Sequence, residues 1–359
     1  MGIDVGFWHN KRVLITGHTG FKGSWLTLWL SKLGARVYGF SLDMPTEPSF
    51  FQLARIGECA VDGRGDLRDL PTVQKAIDDA APEIVFHLAA QSLVRPSYVN
   101  PVENYATNVM GAVHLLESIR QHPSVKALVV ATSDKCYENR EWIWGYREND
   151  PMGGYDPYSS SKGCVELVTA AYRQSFFSDK SSATRIASAR AGNVVGGGDW
   201  AQDRLIPDVM QALLEGRSPI LRNPKAVRPW QHVLEPLHGY LLLAEMLAKE
   251  AGESYAASWN FGPREQDIRT VGNVVEQLAS IWGDDAQQWK LAKEAQPHEA
   301  HLLKLDSTKA CIQLGWEPQL NLEECLEWIV EWYRVFVQKG DLRAVSEQQI
   351  NNFQSKVNQ

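Results

Sequence analysis

The sequence predicts an α/β protein with a doubly wound parallel sheet and a smaller, mainly helical C-terminal domain. Three observations support this prediction. Short apolar runs alternate with segments of helical spacing through the first half of the 359-residue chain, a pattern typical of parallel sheets covered on both faces. A glycine-spaced turn with glycines at 17, 20 and 23 follows the first apolar run. From about residue 193 the alternation stops, and clusters of Arg, Pro and Trp begin.

The elements are predicted in order from these patterns, since apolar runs indicate strands and apolar repeats of three and four indicate helices. Strands are expected at 13–16, 37–42, 84–90, 127–132, 186–191 and 258–261. Helices are expected at 24–33, 71–81, 101–121, 158–177 and 233–249, with a mainly helical region over 263–340.

The change of pattern near residue 193 sets the predicted domain boundaries. Residues 1–192 form the first domain, and about 233–262 return to it. Residues 193–340 form the second domain. The last stretch, 341–359, is rich in polar residues, so we expect a flexible tail.

Composition and charge argue against several classes of function. A net charge of -7 argues against a nucleic-acid or membrane surface as the partner. The five cysteines are scattered without a Cys-x-x-Cys pair or a zinc-type cluster with His, so we expect reduced thiols and no metal. No basic leader or long apolar segment is present. We therefore expect a cytoplasmic globular protein.

The glycine-spaced turn predicts a phosphate site. Gly17 makes a tight turn, Gly20 lets the backbone approach a ligand, and Gly23 lets the helix pack on the strand. The helix start presents free N–H groups and a positive dipole end to an anion. The spacing is GxxGxxG, which indicates one branch of dinucleotide-binding proteins, although a glycine-rich turn without a ligand is the alternative.

Asp43 indicates which dinucleotide is bound. It lies about 20 residues beyond Gly23, at a predicted strand end. A carboxylate there accepts hydrogen bonds from ribose hydroxyls and repels a 2′-phosphate, which favours NAD over NADP. Asp66 and Leu67 follow another strand end and are placed to flank an adenine ring. A solvated loop aspartate is the alternative for Asp43.

Tyr158 and Lys162 form the central chemical signal. Their spacing of four places both side chains on one face of a predicted helix. An ammonium near a phenol lowers the phenol pKa, which makes the tyrosine a base for a sugar or alcohol hydroxyl. The pair follows a strand that ends in Thr132-Ser133-Asp134-Lys135, at the sheet edge where such folds bind ligands.

Together these motifs resemble the extended short-chain dehydrogenases/reductases, Rossmann-type proteins that include sugar-nucleotide epimerases and 4,6-dehydratases. The matching motifs are Gly17-x-x-Gly20-x-x-Gly23, Asp66-Leu67, His87-Leu88-Ala89-Ala90-Gln91, Tyr158-x-x-x-Lys162 and Asn193-Val194-Val195-Gly196. The resemblance runs from about residue 11 to 335. Stretches at 18–25, 132–137, 197–200 and 228–233 resemble the members that act on CDP-glucose.

The resemblance implies an NAD-dependent lyase of deoxysugar and O-antigen synthesis. Such an enzyme converts CDP-glucose to a 4-keto-6-deoxy sugar and water by moving a hydride from C4 to C6. Tyr158 would take the 4-hydroxyl proton, and Lys162 would hold the phenolate and the nicotinamide ribose. Ser133, Asp134 and Lys135 match a Thr-Asp-Glu triplet that supplies a hydroxyl contact, an acid and a base. Lysine departs from glutamate, so whether it or an ordered water takes the C5 proton stays open.

The resemblance also implies two sets of binding residues. The cofactor set is Gly17, Thr19, Gly20, Phe21, Lys22, Gly23, Asp43, Asp66, Leu67, Leu88, Ala89, Ala90, Thr132, Tyr158 and Lys162. The substrate set is Gln91, Arg95, Ser133, Asn193, Arg204 and Arg228. Structural roles, such as an arginine stacked on Trp230, are the alternatives within the substrate set.

Helices 101–121 and 158–177 match a pair that forms a four-helix bundle in dimers of this family. The resemblance therefore implies a homodimer or a tetramer. The alternatives in function are another NDP-hexose 4,6-dehydratase, a 4-epimerase, and an idle NAD-binding regulator. An epimerase needs no elimination acid, so Asp134 and Lys135 argue against it. An idle regulator commonly lacks Tyr or Lys of the pair, and both are present here.

Overall fold

The computed structural model describes residues 1–178, 183–293 and 300–358. The strands are β1 (Arg12–Thr16), β2 (Arg36–Ser41), β3 (Val61–Arg64), β4 (Ile84–His87), β5 (Ala127–Ala131), β6 (Arg185–Ala191), β7 (Asn193–Val195), β8 (Ile220–Leu221), β9 (Val227–Arg228), β10 (Trp230–His232), β11 (Ser258–Phe261), β12 (Arg269–Thr270) and β13 (Lys290–Leu291). The α-helices are α1 (Val5–Trp8), α2 (Phe21–Lys32), α3 (Phe50–Leu53), α4 (Leu70–Ala80), α5 (Val94–Val99), α6 (Pro101–Tyr105), α7 (Gly111–Arg120), α8 (Pro157–Phe176), α9 (Leu205–Leu214), α10 (Leu234–Ala248), α11 (Val271–Trp282), α12 (Leu322–Val337) and α13 (Leu342–Val357).

A seven-stranded parallel sheet forms the centre of the molecule, which confirms the predicted fold class. Its strand order is β11-β6-β5-β4-β1-β2-β3. The order reverses between β1 and β4, and Thr16 at the end of β1 lies opposite both Phe40 and His87. Such a reversal opens a crevice at the carboxyl ends of the strands, where open α/β sheets bind their ligands.

The sheet separates two apolar cores, because alternate residues of a strand point to opposite faces. In β1, Val13 and Ile15 belong to the larger core with α2, α10 and the C-terminal helices. Leu14 belongs to the smaller core with α4 and α7. Both faces are therefore covered, as the apolar strands of a parallel sheet require.

After β6 the chain leaves the main sheet and makes three two-stranded pairs, β7 with β10, β9 with β12, and β8 with β13. Between β10 and β12 the chain returns to the main sheet, since β11 pairs with β6 at the sheet edge. Helices α11, α12 and α13 follow. The short strands were missed because runs of two or three residues carry too little periodicity to be recognised.

Two predicted elements have different bounds in the structure. The strand expected at 84–90 ends at His87, because the backbone then turns toward β1. There the Leu88 N–H donates to the carbonyl of Thr16 at 3.1 Å and the Ala89 N–H to its hydroxyl at 3.3 Å. The helix expected at 101–121 is α6 and α7 joined by a π-helical turn at Ala106–Met110.

The expected flexible tail was wrong, since residues 342–357 form helix α13. The Asp341 carboxylate caps its start by accepting from two backbone N–H groups. Leu342, Ile350 and Phe353 are buried on one face, and Phe353 meets Trp29 of α2 edge-on at 5.7 Å between ring centroids. The apolar residues lie at helical spacing, but polar residues between them made the stretch look unstructured.

We expect Phe353→Ala to lower the free energy of unfolding by about 3–5 kcal/mol, the usual result of emptying a buried aromatic site. Phe353 is fully buried, so its removal leaves a cavity against Trp29. Urea denaturation measures the change. The exposed neighbour Asn352 is the control, and Asn352→Ala should change stability by less than about 0.5 kcal/mol. Equal effects of the two substitutions would contradict the packed position of α13.

Candidate active site

A cavity of about 1640 Å³ runs along the carboxyl edge of the sheet. Its wall contains residues that directly follow β1, β2, β3, β4, β5 and β6, together with parts of α8 and α9. All the candidate cofactor and substrate residues named from the sequence lie in this wall. The fold therefore brings together residues that are spread over about 200 positions of the chain.

The glycine turn has the geometry that its spacing predicts. Gly17 has a φ of +78°, and a Cβ there would lie 2.6 Å from the backbone nitrogen of Ala89. A Cβ on Gly23 would lie 2.0 Å from the Gly17 carbonyl oxygen. Gly20 is the residue before α2, whose first N–H groups lack helical partners. The result is a cradle for an anion at a helix N-terminus.

Side chains of the turn fix it to β2 and β3. The Thr19 hydroxyl lies 2.7 Å from the Ser41 hydroxyl, and the His18 ring nitrogen Nε2 lies 2.8 Å from an Asp62 carboxylate oxygen. The His18 ring fills the space over Gly39, where a Cβ would lie 2.2 Å from it. Sequence reasoning assigned no role to His18, although it stands inside the motif.

The residues expected at the adenosine end line one part of the cavity. The Asp43 side chain is 95% exposed and lies 3.8 Å from Arg64. Asp66 accepts hydrogen bonds from Arg68, which lower the pKa of its carboxyl, and Leu67 is buried. Asp43, Asp66 and Leu67 all line the same cavity.

The start of α8 places Tyr158 and Lys162 in the cavity wall. Asp156 caps the helix by accepting from the backbone N–H of Ser159 at 2.9 Å, and Pro157 occupies the first turn. Tyr158 is 8% exposed and Lys162 6%. The Lys162 ammonium donates to the carbonyl of Ala131 at 3.3 Å, which holds the helix to the end of β5.

The acidities of this pair differ from the sequence expectation. Burial raises the pKa of Tyr158 to about 12, although a hydrogen bond with Ser133 and the charge of Arg204 oppose the rise. Burial lowers the pKa of Lys162 to about 8, although the charge of Glu166 opposes the fall. The predicted lowering of the phenol pKa is wrong for the protein alone, because burial outweighs the neighbouring charges.

Asp134 lies in the buried environment that raises the pKa of a carboxyl. It is 2% exposed, and its Oδ1 accepts from the Ser133 hydroxyl at 3.0 Å. Among the described residues its Oδ2 has no hydrogen-bond partner. Burial raises the pKa of this carboxyl, against the positive charges of Lys135, Arg228 and Lys22. A raised pKa favours the protonated form of the carboxyl, which is the form that can donate a proton.

Two lysines lie near Asp134. Lys135 is half-buried in the cavity wall, and its backbone N–H donates to the Ser133 hydroxyl at 3.2 Å. Lys22, in the first turn of α2, has its pKa lowered to about 7 by burial and by the charges of Arg204 and Lys162. The centre of the cavity is therefore rich in positive groups, which suits an anionic ligand.

Gln91 and Arg95 are already engaged by neighbouring side chains. The carboxamide oxygen of Gln91 accepts from the Asn104 side chain at 2.8 Å, and the Arg95 guanidinium lies 3.5 Å from Asp203. Both residues line the cavity. Gln91 and Arg95 therefore help to shape the wall of the cavity, and they also lie where they can contact a ligand.

The remaining predicted substrate residues lie on segments after β6. Asn193 begins β7. Arg204, just before α9, donates to Asp199 at 3.0 Å and to Ser92 at 2.8 Å. Arg228 is buried and donates to two backbone carbonyls. Ser92 was missed as a partner of Arg204 because only the fold brings it to the start of α9.

Sequence reasoning also missed the buried pair of Glu166 and Arg190, whose charged atoms lie 2.8 Å apart. The only signal was the position of Glu166 four residues after Lys162, on the same helix face. In the ranges that the structure describes, no group of three His, Cys, Asp or Glu is placed to hold a metal ion. None of the helices there is long and apolar enough to cross a membrane.

Solved structures of sugar-nucleotide enzymes share this fold. A UDP-glucose 4-epimerase from Stenotrophomonas maltophila, with bound NAD and formylated UDP-arabinopyranose, has a TM-score of 0.79 at 20% identity, over 92% of this chain and 100% of that one. A double mutant of dTDP-glucose 4,6-dehydratase from Streptomyces venezuelae, with NAD bound, has a TM-score of 0.77 at 22% identity, over 91% and 98%.

Sequence comparison is more specific than the fold. The family model described as GDP-mannose 4,6 dehydratase matches residues 14–329, and the chain belongs to this family. A CDP-glucose 4,6-dehydratase of Salmonella typhimurium is 53% identical over 356 residues, which are 98% of this chain and 99% of that protein.

Proposed function

We propose that this protein converts CDP-glucose to CDP-4-keto-6-deoxyglucose and water, with NAD+ as a resident cofactor. The observation that carries the proposal is the buried, raised-pKa carboxyl of Asp134 beside Tyr158 and Lys162. An oxidation at C4 needs only the tyrosine and the lysine, whereas loss of the 6-hydroxyl also needs an acid. The choice of CDP-glucose rests on the 53% identity to the Salmonella enzyme.

The glycine cradle and Asp43 fit a dinucleotide. A diphosphate belongs at the start of α2, where Gly17 and Gly23 leave no room for side chains. The exposed Asp43 suits ribose hydroxyls and opposes a 2′-phosphate. When bound, NAD+ supplies a hydride acceptor that later gives the hydride back, so that the reaction has no net redox change.

Tyr158 begins the reaction by taking the proton of the sugar 4-hydroxyl. Its pKa of about 12 must fall when the site is filled, and added positive charge nearby has this effect. Ser133 hydrogen-bonds to the phenol and is placed to contact the same hydroxyl. The Lys162 ammonium, one turn along the helix, stabilises the phenolate.

Asp134 then protonates the leaving 6-hydroxyl. The new 4-keto group acidifies the C5–H bond, so that a base can remove this proton as the C6–O bond breaks. Lys135 lies in the wall of the cavity beside Asp134. Either its amine or an ordered water serves as the base.

Arg204, Arg228 and Asn193 hold the sugar nucleotide. Guanidinium groups bind phosphate oxygens with two parallel hydrogen bonds. Arg204 now donates to Asp199 and Ser92, so it must exchange one of these partners for the diphosphate. Asn193, Gln91 and Arg95 complete the wall around the sugar.

Mass spectrometry of CDP-glucose incubated with protein and NAD+ tests the proposal, with dTDP-glucose and UDP-glucose in parallel. NADH absorbance is followed in the same samples. Loss of one water from CDP-glucose alone, without lasting NADH, supports it. Water loss from dTDP-glucose or UDP-glucose would indicate that the enzyme recognises a different nucleobase. An unchanged mass with a new 4-epimer would indicate an epimerase. No change in any sample would favour an idle NAD-binding protein.

The cytoplasm is the proposed compartment. All five cysteines are unpaired in the structure, as expected where thiols stay reduced. The proposed substrate is a nucleotide sugar, and we expect nucleotide sugars to be cytoplasmic metabolites. Recovery of activity in the soluble cytoplasmic fraction of the source cells tests this assignment.

A second copy of the chain is the proposed protein partner. Helices α5, α6 and α8 expose apolar side chains, with Val99 76% exposed, Val102 81% and Leu167 61%. An apolar face of this kind on a soluble protein usually meets a partner. Two copies would bury it as a four-helix bundle, in a dimer or in a tetramer of such dimers.

We expect the Val102→Glu/Leu167→Glu double variant to sediment as a monomer, because buried unpaired carboxylates are costly at an interface. Analytical ultracentrifugation gives the masses of variant and parent. Ile312, 77% exposed elsewhere on the surface, supplies the control Ile312→Glu, which should keep the parental mass. A parental mass for the double variant would exclude this face as the interface.

A further inference from the structure

A buried polar network lies behind the reacting groups. At its centre are Glu166 of α8 and Arg190 of β6, whose side chains are 2% and 3% exposed. A charge without partners in such a place would be very unfavourable. The two charges pair with each other, and hydrogen bonds to the strands beneath the cavity stabilise the pair.

Glu166 connects α8 to three strands. Its Oε1 accepts a short hydrogen bond from the hydroxyl of Thr132, the residue that follows β5. Its Oε2 accepts from Ser188 of β6 at 2.6 Å, from Ser258 of β11 at 3.2 Å, and from Arg190 at 2.8 Å. These donors and the Arg190 charge keep the pKa of the carboxyl below its ordinary value although burial opposes them. The group is therefore a permanent anion.

Arg190 extends the network to the chain beyond Asp134. One of its nitrogens donates to the Tyr137 hydroxyl at 2.7 Å and to the carbonyl of Glu148 at 3.0 Å. Its guanidinium lies 4.9 Å from the centre of the Tyr137 ring. Thr132 and Tyr137 flank the segment that holds Ser133 and Asp134, so the ion pair fixes this segment at both ends.

We propose that Glu166, held by Arg190, is a positioning residue for the dehydration. It holds Thr132, and with it the Ser133–Asp134 segment, against α8, and it places a fixed negative charge one helical turn from Lys162. The inference rests on the proposed function, since the groups that it positions are those assigned to the reaction.

The charge of Glu166 acts on Lys162 against several neighbours. The other titratable groups that face this ammonium are Lys22 of α2, His87 of β4 and Cys136 after β5, with Tyr158 one turn before it on α8. Burial and Lys22 favour the neutral amine, whereas Glu166 favours the ammonium. Without the carboxylate, Lys162 loses its proton at a lower pH.

The Glu166→Gln variant tests this role through the pH dependence of kcat for CDP-glucose. We assign the fall of kcat at high pH to loss of the Lys162 proton, and we expect this fall to occur about one pH unit lower in the variant. Loosening of the Ser133–Asp134 segment should also lower kcat about ten- to a hundredfold at the optimum. KM should stay within about twofold, because Glu166 does not line the cavity.

Two further variants separate positioning from folding. The double variant Glu166→Gln/Arg190→Gln replaces the ion pair by two neutral groups that can hydrogen-bond. It therefore lacks the unpaired arginine charge of the single variant. The fall of its kcat at high pH should still occur at a lower pH than in the parent. Thr132→Val removes one hydroxyl and keeps the charge, so kcat should be lower while its fall at high pH occurs at the same pH as in the parent. Circular dichroism and thermal melting check that each variant is folded.

The results separate this inference from the proposed function. A parental pH profile and parental kcat in the folded double variant would overturn the positioning role while the parent still dehydrates CDP-glucose. If the parent protein does not turn over CDP-glucose, the proposed function fails, and the positioning role falls with it.

Discussion

Tyr158→Phe should lower kcat for CDP-glucose by about a thousandfold, within the range seen when a general base is removed. The ring keeps its place in the wall of the cavity, but no oxygen remains to take the 4-hydroxyl proton. NADH and the dehydrated product should both form about a thousandfold more slowly than in the parent. Mass spectrometry and NADH absorbance after rapid mixing measure the two steps separately.

Substrate affinity should change little in this variant, because the phenol contributes one contact among many. Isothermal titration with CDP-glucose measures it. Tyr172→Phe makes the same substitution on the same helix, away from the cavity, and should behave like the parent. Turnover by Tyr158→Phe within tenfold of the parent would remove the tyrosine from the role of base.

Asp134→Asn should block the reaction after the first oxidation. An amide cannot donate a proton to the leaving 6-hydroxyl, so we expect overall turnover to fall about a hundredfold or more. Reduced cofactor should accumulate, and deuterium from heavy water should enter C5 without loss of water. NADH absorbance and mass spectrometry of the sugar nucleotide record both effects.

The control for this variant is Asp79→Asn on the surface of α4, whose side chain is 65% exposed. It should dehydrate CDP-glucose at the parental rate. Turnover of Asp134→Asn close to that of the parent would refute the acid role. Loss of the first oxidation as well would mean that Asp134 supports Tyr158 and does not act later.

Most of the fold could be predicted because its central strands are buried on both faces and its helices repeat apolar residues regularly, whereas the mostly exposed β3 was missed. Many of the residues that line the cavity could be placed for the same reason, since they follow strands and the ends of parallel strands meet. The glycine turn and the Tyr158–Lys162 pair needed only local spacing.

What the sequence did not predict depends on distant contacts. The pKa of Tyr158 is governed by how completely other segments bury the phenol, which spacing cannot report. Arg190 meets Glu166 only because α8 packs against β6 in the folded molecule. Helix α13 was read as a tail because the surface that receives Phe353 belongs to α2, more than 300 residues earlier.

The packing of α13 on α2 has a consequence for biosynthesis. The helix that begins at the phosphate turn leaves the ribosome first, whereas the helix that covers Trp29 is made more than 300 residues later. Contacts so distant along the chain form slowly and leave apolar surface uncovered in the nascent protein. A premature stop codon near residue 341 would therefore damage the cofactor end of the molecule, and such chains should aggregate or be degraded although every reacting group is present.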